Sequence, residues 1–188
     1  MKKELEKLKA CEDGIVWAED KKWGDIHQSC DRGDWGLWFF KKTNPDDVEL
    51  LTFVKGHCAN TVRHLMIDQR SLNAVDTAIA FGEGKATLEE LIEACDSAHQ
   101  AAEEIGQKIE QEDLENALLT CTDECEEIVR TSNASYSAAY AAYAAADLSS
   151  DGAAAAAYAS EASENKEENL KMTAEICRKY LPINIWKI

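Results

Sequence analysis

Apolar residues recur along this chain at the three- and four-residue spacing that is typical of amphipathic helices. The strongest example is ATLEELIEACDSAHQAA, beginning at Ala86, in which leucine, isoleucine and alanine follow that spacing. Thr87 and Glu90 form a capping-box signature at its start. Runs of alternating β-branched residues are absent, so no strand is predicted. The pattern therefore predicts an all-α fold, a compact bundle of roughly seven helices.

Glycine, proline and polar segments divide the chain into these predicted helices. Asn44 and Pro45 suit a cap and a first turn, and Gly82 and Gly84 suit a helix end. We expect one domain over 1–188, in which an aromatic N-terminal part, 1–82, packs on long C-terminal helices within 87–181. The predicted helices cover 3–19, 23–30, 45–66, 70–82, 86–109, 113–146 and 152–180.

The segment SYSAAYAAYAAADLSSDGAAAAAYASEA, beginning at Ser135, is almost entirely alanine, tyrosine and serine. Alanine has the highest helix propensity, so the segment is predicted to be helical. LSSDG interrupts it, which predicts a helical hairpin of Tyr136–Ala146 against Ala153–Ser163 with closely spaced axes. The alternative is a flat alanine face that binds ice or a partner helix. The regularly spaced threonines that ice binding requires are missing from this face.

The net charge of −16 is concentrated in one segment of the chain. Fifteen acidic residues and only Lys85 and Lys108 lie between Glu83 and Glu127, which accounts for 13 of the 16 negative charges. Phosphate contacts need basic residues, so direct nucleic-acid binding here is disfavoured. A basic protein partner is predicted instead, although solvation of exposed helices would also explain the acids. The predicted partner-binding acids are Glu89, Glu90, Glu93, Glu103, Glu104, Glu110, Glu112 and Asp113.

The stretch DRGDWGLW combines an arginine, an aspartate and two tryptophans within eight residues. An Arg32–Asp34 pair can fix a tight turn, and Trp35 with Trp38 can anchor a core. The functional alternative is a ligand groove rimmed by Arg32 and Trp35. Arg32, Asp34 and Trp35 are therefore added to the predicted partner-binding residues.

Two groups of residues have side chains that could bind a metal or act as acid and base. Their spacing favours structural roles instead. His57, His64 and Asp68 recur on one stripe of the predicted helix 45–66 and its extension, and with Arg70 they give an acid–base alternative. The histidines are two turns apart, about 10 Å, which is too far for one metal ion on a straight helix. Cys121 and Cys125 form a CxxxC without a second pair, a weak metal signal. No cofactor or metal is predicted, and the protein is not expected to be an enzyme.

The seven cysteines are irregularly spaced, and the N-terminus MKKELEKLKACEDG lacks the apolar core of a signal peptide. Reduced thiols in a cytoplasm are therefore expected. No window is apolar enough to predict a transmembrane helix.

Three segments, CDRGDWGLW, HLMIDQRSLNAVDTAIAFGEGKATLEELIEACDSAHQAA and AEICRKYLP, together resemble small alanine-rich helical proteins of phages and prophages. The middle segment also resembles proteins assigned as immunity proteins of polymorphic-toxin systems. The resemblance spans Cys11 to Pro182, its motifs are structural, and it implies no reaction. This chain is more acidic between Glu89 and Glu127 than such proteins are.

Together these observations predict a non-enzymatic acidic binding protein, a phage counter-defence or immunity-like factor that occludes a basic partner protein. Nucleic-acid mimicry, with carboxylates in place of phosphates, is the stronger version. The alternatives are a structural or virion-associated helical protein and, less favoured, a hydrolase using His57, His64 and Asp68.

Overall fold

The computed structural model of the protein describes residues 2–116, 123–150 and 152–185, with side chains for all of these except 110, 112 to 116 and 123 to 129. These residues form ten α-helices and two short 3₁₀-helices, at 60–65 and 183–185, and no strand. The all-α prediction is confirmed for this part of the chain. The helices are α1 (Lys2–Lys7), α2 (Glu12–Ala18), α3 (Trp23–Ser29), α4 (Gly33–Thr43), α5 (Val48–Ala59), α6 (Gln69–Gly82), α7 (Leu88–Asn116), α8 (Asp123–Ala146), α9 (Ala154–Ala162) and α10 (Lys166–Tyr180).

The predicted count of seven helices is wrong, because two predicted helices are divided and DRGDWGLWFFKK forms a helix of its own, α4. The predicted helix 3–19 is divided at Lys9, which has a left-handed backbone with φ of 61°. There the Ala10 N–H donates to the Leu5 carbonyl at 3.0 Å, as in a helix C-terminal cap. The predicted helix 152–180 is divided at Ser163, and the Asn165 side chain accepts from the Glu168 N–H to cap α10.

The predicted helix 45–66 is also wrong at both ends. Asn44 is buried and does not cap α5, since its side-chain amide donates to the Ile185 carbonyl at 2.8 Å. The α-helix begins at Val48 and ends at Ala59. A 3₁₀-helix follows, with a non-helical backbone at Val62.

The main core is built from alanine around the central helix α8, which packs against α5, α6, α7 and α9. Alanine lets helix axes approach closely, and Gly106 of α7 lies directly under the Tyr136 ring of α8. Contacts of Glu103 with Tyr140 and of His99 with Tyr143 show that α7 and α8 run antiparallel. Within the described residues, no helix is long and apolar enough to cross a bilayer. The fully or almost fully buried alanines of α8 and α9 are Ala138, Ala139, Ala141, Ala142, Ala144, Ala145, Ala146, Ala155, Ala156, Ala159 and Ala162.

The described part of the alanine tract is thus buried in the core, and α9 packs along α8. The second arm of the hairpin, predicted as Ala153–Ser163, is a helix of nine residues, Ala154–Ala162. The alternative, a flat alanine face exposed to solvent, is not found over the described residues of this tract, 135–150 and 152–162.

Replacing Ala155 by leucine is expected to destabilise the fold by about 1–3 kcal/mol, because three extra carbons enter a core that has no room for them. Ala155 is completely buried against α8. Ala157 lies on the same helix, is only partly buried and is outside the apolar clusters, so Ala157→Leu is the control. Chemical denaturation measures both variants, and equal stability for the two would contradict the buried position of Ala155.

A second apolar cluster joins α4, α5 and α10 through Leu37, Phe40, Val54 and Leu181. A third, aromatic cluster places α1, α2 and α3 on the outer side of α4. The N-terminal helices therefore cover one face of α4, and α10 covers another.

Candidate functional site

Several acidic residues of α7 lie on the side of the helix opposite its buried side. Leu91, Ala94 and Ala98 are buried, whereas Glu89 and Glu93 are exposed. With about 100° per residue, Glu89, Glu93, Asp96 and Glu103 fall within one narrow stripe. We call these four residues the acidic face.

The predicted partner-binding acids divide into engaged and unengaged carboxylates. Glu103 accepts a hydrogen bond from the Tyr140 hydroxyl, and Glu104 accepts one from Arg70 Nη2 at 2.6 Å. Glu90 accepts from the Thr87 N–H at 2.7 Å, which completes the predicted capping box. By contrast Glu89, Glu93 and also Asp96 make no hydrogen bond or ion pair with the part of the chain that the structure describes.

Several predicted residues lie where the structure describes no side chains. Glu110, Glu112 and Asp113 belong to the last turns of α7, and their side chains are outside the described set. Cys121 is outside the described residues altogether, and the side chain of Cys125 is likewise not described.

Two exposed apolar side chains border the acidic face. Neither was among the residues predicted from the sequence. Leu88 is 47 % and Ile92 49 % exposed, and their four-residue spacing places them together beside Glu89 and Asp96. The sequence signal that could have found them is their position on the helical wheel, turned away from Leu91 and Ala94 so that they border Glu89 and Asp96. An apolar strip beside a charged one is typical of a protein-binding surface.

Arg32, Asp34 and Trp35 are not brought to the acidic face. They belong to α4, which packs against α5, α9 and α10, whereas α7 packs against α6 and α8. Arg32 donates to both carboxylate oxygens of the buried Asp34, at 2.9 and 2.6 Å. The Trp35 ring meets the Trp17 ring edge-on with centroids 5.8 Å apart. The predicted grouping of these residues with the acids of α7 is therefore not supported by their positions.

These residues instead line a cavity of about 320 Å³ between α1, α2, α3, α4 and α10. Its walls are mostly apolar, and the Arg32 guanidinium lies over the Trp35 ring, 4.7 Å from the centroid. The cavity lies where the sequence suggested a ligand groove near Arg32 and Trp35, with α2 and α3 as its other walls, and the binding of a ligand there stays a prediction. The aromatic residues of the lining are Trp17, Trp23, Trp35, Trp38 and Phe39.

The Cys30 thiol beside the cavity is protonated at neutral pH. Burial raises the pKa of Cys30 to about 11, although a backbone hydrogen bond with Arg32 acts in the opposite direction. Since the thiolate is the nucleophilic form, Cys30 is unreactive near pH 7. Among the described residues, no group of three or more histidine, cysteine, aspartate and glutamate side chains could hold a metal ion.

The predicted stripe of His57, His64 and Asp68 does not exist, because the α-helix that should carry it ends at Ala59. His57 is stacked on the Tyr180 ring with centroids 5.0 Å apart, and burial lowers its pKa. His64 is exposed on the 3₁₀-helix. Asp68 accepts from the Arg70 N–H at 2.8 Å and is the N-cap of α6. The acid–base alternative therefore loses its geometric basis.

Replacing Asp68 by alanine is expected to cost about 1 kcal/mol, the usual loss for an N-cap. Arg70 lowers the pKa of the Asp68 carboxyl through their hydrogen bonds. The charge therefore stabilises the fold fully above the unfolded-state pKa of about 3.9, and this part is lost as the pH falls through the lower folded-state value.

Asp68→Asn is the matched control, because it keeps the capping oxygen and removes the charge. Urea denaturation at neutral pH should rank the wild type above Asp68→Asn and Asp68→Asn above Asp68→Ala. A gap between wild type and Asp68→Asn that widens on acidification would contradict the assignment.

Comparisons with protein-family models, with curated proteins and with solved structures give no match to this chain.

Proposed function

We propose that the protein is a non-enzymatic binding protein that occludes a basic protein partner through the acidic face of α7. The observation that carries the proposal is the set of unengaged, exposed carboxylates of Glu89, Glu93 and Asp96 on one helical stripe. Leu88 and Ile92 supply apolar contact area beside them. Charge and apolar surface together are what a specific protein contact needs.

Electrostatics supports this proposal over solvation alone. Carboxylates arranged on one face repel one another, and a surplus of one sign destabilises the compact state. A basic partner relieves that repulsion and is attracted from a distance, which raises the association rate. In the nucleic-acid-mimic version, the same carboxylates occupy the phosphate positions of the partner's cleft.

The proposed setting follows from the resemblance to alanine-rich phage and prophage proteins and to immunity proteins of toxin systems. We propose that the protein acts in the host cytoplasm as a counter-defence or immunity-like factor. A nuclease or another enzyme that handles nucleic acid is the class of partner that fits, because its cleft is basic. The virion-associated alternative instead requires assembly into rings or arrays.

The experiment is an affinity purification from the native host with three forms of the protein as bait. Wild type is compared with Glu89→Lys/Glu93→Lys and with the control Glu167→Lys/Glu175→Lys. The control is matched, because Glu167 and Glu89 both lie in the first turn of their helices and Glu175 and Glu93 further along. All four are exposed, so neither double variant removes a core contact.

We expect wild type and the control to retain the same basic protein and the Glu89→Lys/Glu93→Lys bait to lose it. Raising the ionic strength from about 0.1 M to about 1 M shortens the Debye length from about 10 Å to about 3 Å and should release the partner. A DNA duplex that competes for the captured protein would support mimicry. Retention by all three baits, or capture that is indifferent to salt, would reject the acidic face as the interface.

A further inference from the structure

The aromatic cavity is separate from the acidic face and is used by no part of the proposed function. Four tryptophans and a phenylalanine line it, contributed by α2, α3 and α4. The rings meet one another at steep angles, with Trp23 and Phe39 at a centroid distance of 4.8 Å and Trp38 and Phe39 at 6.5 Å. These are the distances and tilted geometries at which aromatic rings attract one another.

Several polar groups around the cavity are already paired within the protein. Arg32 and Asp34 bond to each other through both carboxylate oxygens. Arg178 Nη1 donates to the Cys30 carbonyl at 2.7 Å, and His27 Nε2 shares a hydrogen bond of 3.0 Å with the Leu181 carbonyl. Lys9 also lines the cavity, but it is an exposed residue. The aromatic walls therefore offer ring faces and edges to a ligand, and a charged ligand placed among these rings would lose its hydration without replacement.

The volume sets the size of the ligand. A cavity of about 150 Å³ lined by apolar side chains holds benzene. At about 320 Å³ the present cavity has roughly twice that space, which suits two fused rings. A pocket of this size with mostly apolar walls is also in the usual range for small-molecule sites.

We propose that this cavity is a binding site for an uncharged, planar aromatic compound of two fused rings. The ligand's ring lies among the tryptophans of α2, α3 and α4 and makes edge and face contacts that a saturated ring of equal size cannot make. The site is independent of the acidic face, so either proposal can fail without the other.

The probes are 2-naphthol, its saturated counterpart decahydro-2-naphthol and the charged 2-naphthalenesulfonate, titrated calorimetrically into the wild-type protein. We expect saturable binding of 2-naphthol at one site, at least ten times tighter than that of either comparison compound. No binding of 2-naphthol would overturn the proposal. Equal affinity for the saturated alcohol would also overturn it, because the cavity would then be a general apolar site.

Gly14→Leu tests the location. Gly14 lines the cavity, and a Cβ there would meet only Cys11 Sγ, at 3.4 Å, so a leucine can occupy the space. Gly24 is outside the lining and a Cβ there would meet nothing within 4 Å, which makes Gly24→Leu the control. We expect Gly14→Leu to weaken 2-naphthol binding at least tenfold and Gly24→Leu to leave it unchanged.

A second measurement needs no variant. Cys11 is exposed and lines the cavity, so bound 2-naphthol should slow its alkylation by iodoacetamide, as followed by peptide mass spectrometry. Alkylation of Cys11 at the same rate with and without saturating 2-naphthol would place the ligand elsewhere and overturn the assignment.

Discussion

Gly33→Ala is expected to destabilise the protein by about 3 kcal/mol, because α4 touches α10 at this glycine. A Cβ on Gly33 would lie 2.3 Å from Thr173 Oγ1 and 2.6 Å from the Thr173 carbonyl carbon. Thr173 cannot move aside, since it is completely buried and its hydroxyl bonds to the Asn169 and Leu170 carbonyls. The added methyl group therefore forces the two helices apart, an overpacking cost at or above the upper end of the usual range.

Gly24→Ala is the matched control for Gly33→Ala. Gly24 is also within a helix, α3, and a Cβ there would meet nothing within 4 Å. The alanine should stabilise α3 by up to about 1 kcal/mol through helix propensity alone. Thermal and urea denaturation give both values, and a Gly33→Ala protein as stable as the wild type would show that α4 and α10 do not meet as described.

Lys55→Met is expected to cost about 2 kcal/mol, although it replaces a buried charge with an apolar side chain of similar length. Lys55 is 1 % exposed, and its Nζ donates to the Asp147 carbonyl at 2.5 Å and to Ser150 Oγ at 2.9 Å. Each hydrogen bond from a charged donor contributes about 1.5–3 kcal/mol. The positive charge also lies at the C-terminal end of α8, where the helix dipole favours it. Removing the ammonium also removes the cost of desolvating it, which offsets part of this loss.

Lys42→Met is the control for Lys55→Met, because Lys42 is exposed on α4 and its replacement should change stability by less than about 0.5 kcal/mol. Lys41 also donates to the Ser150 carbonyl, so the turn after α8 keeps one lysine contact in the Lys55→Met protein. An unchanged or higher stability for Lys55→Met would mean that the desolvation cost of the buried ammonium exceeds its hydrogen bonds.

Local patterns in the sequence were enough to predict several features of the molecule. The helical period and the lack of alternating β-branched runs predicted the all-α class, and Thr87 with Glu90 predicted the start of α7. These features depend on neighbours within four residues, so their physical causes are all present in the local sequence. For the same reason, the charge of the acidic face could be read from the sequence, and the structure adds which of its carboxylates are unengaged.

Tertiary structure decided where helices end and which residues meet. Lys9 takes a left-handed backbone and Val62 a non-helical one, although neither residue type favours these conformations, because packing of the flanking segments outweighs local preference. The predicted helical stripe of His57, His64 and Asp68 is consequently absent, and the aromatic cavity forms from segments distant in the chain. Long-range contacts of this kind form only when the whole core is assembled. The sequence by itself therefore determined the helices and the charge of this protein, and only the tertiary structure decided its surfaces and its cavity.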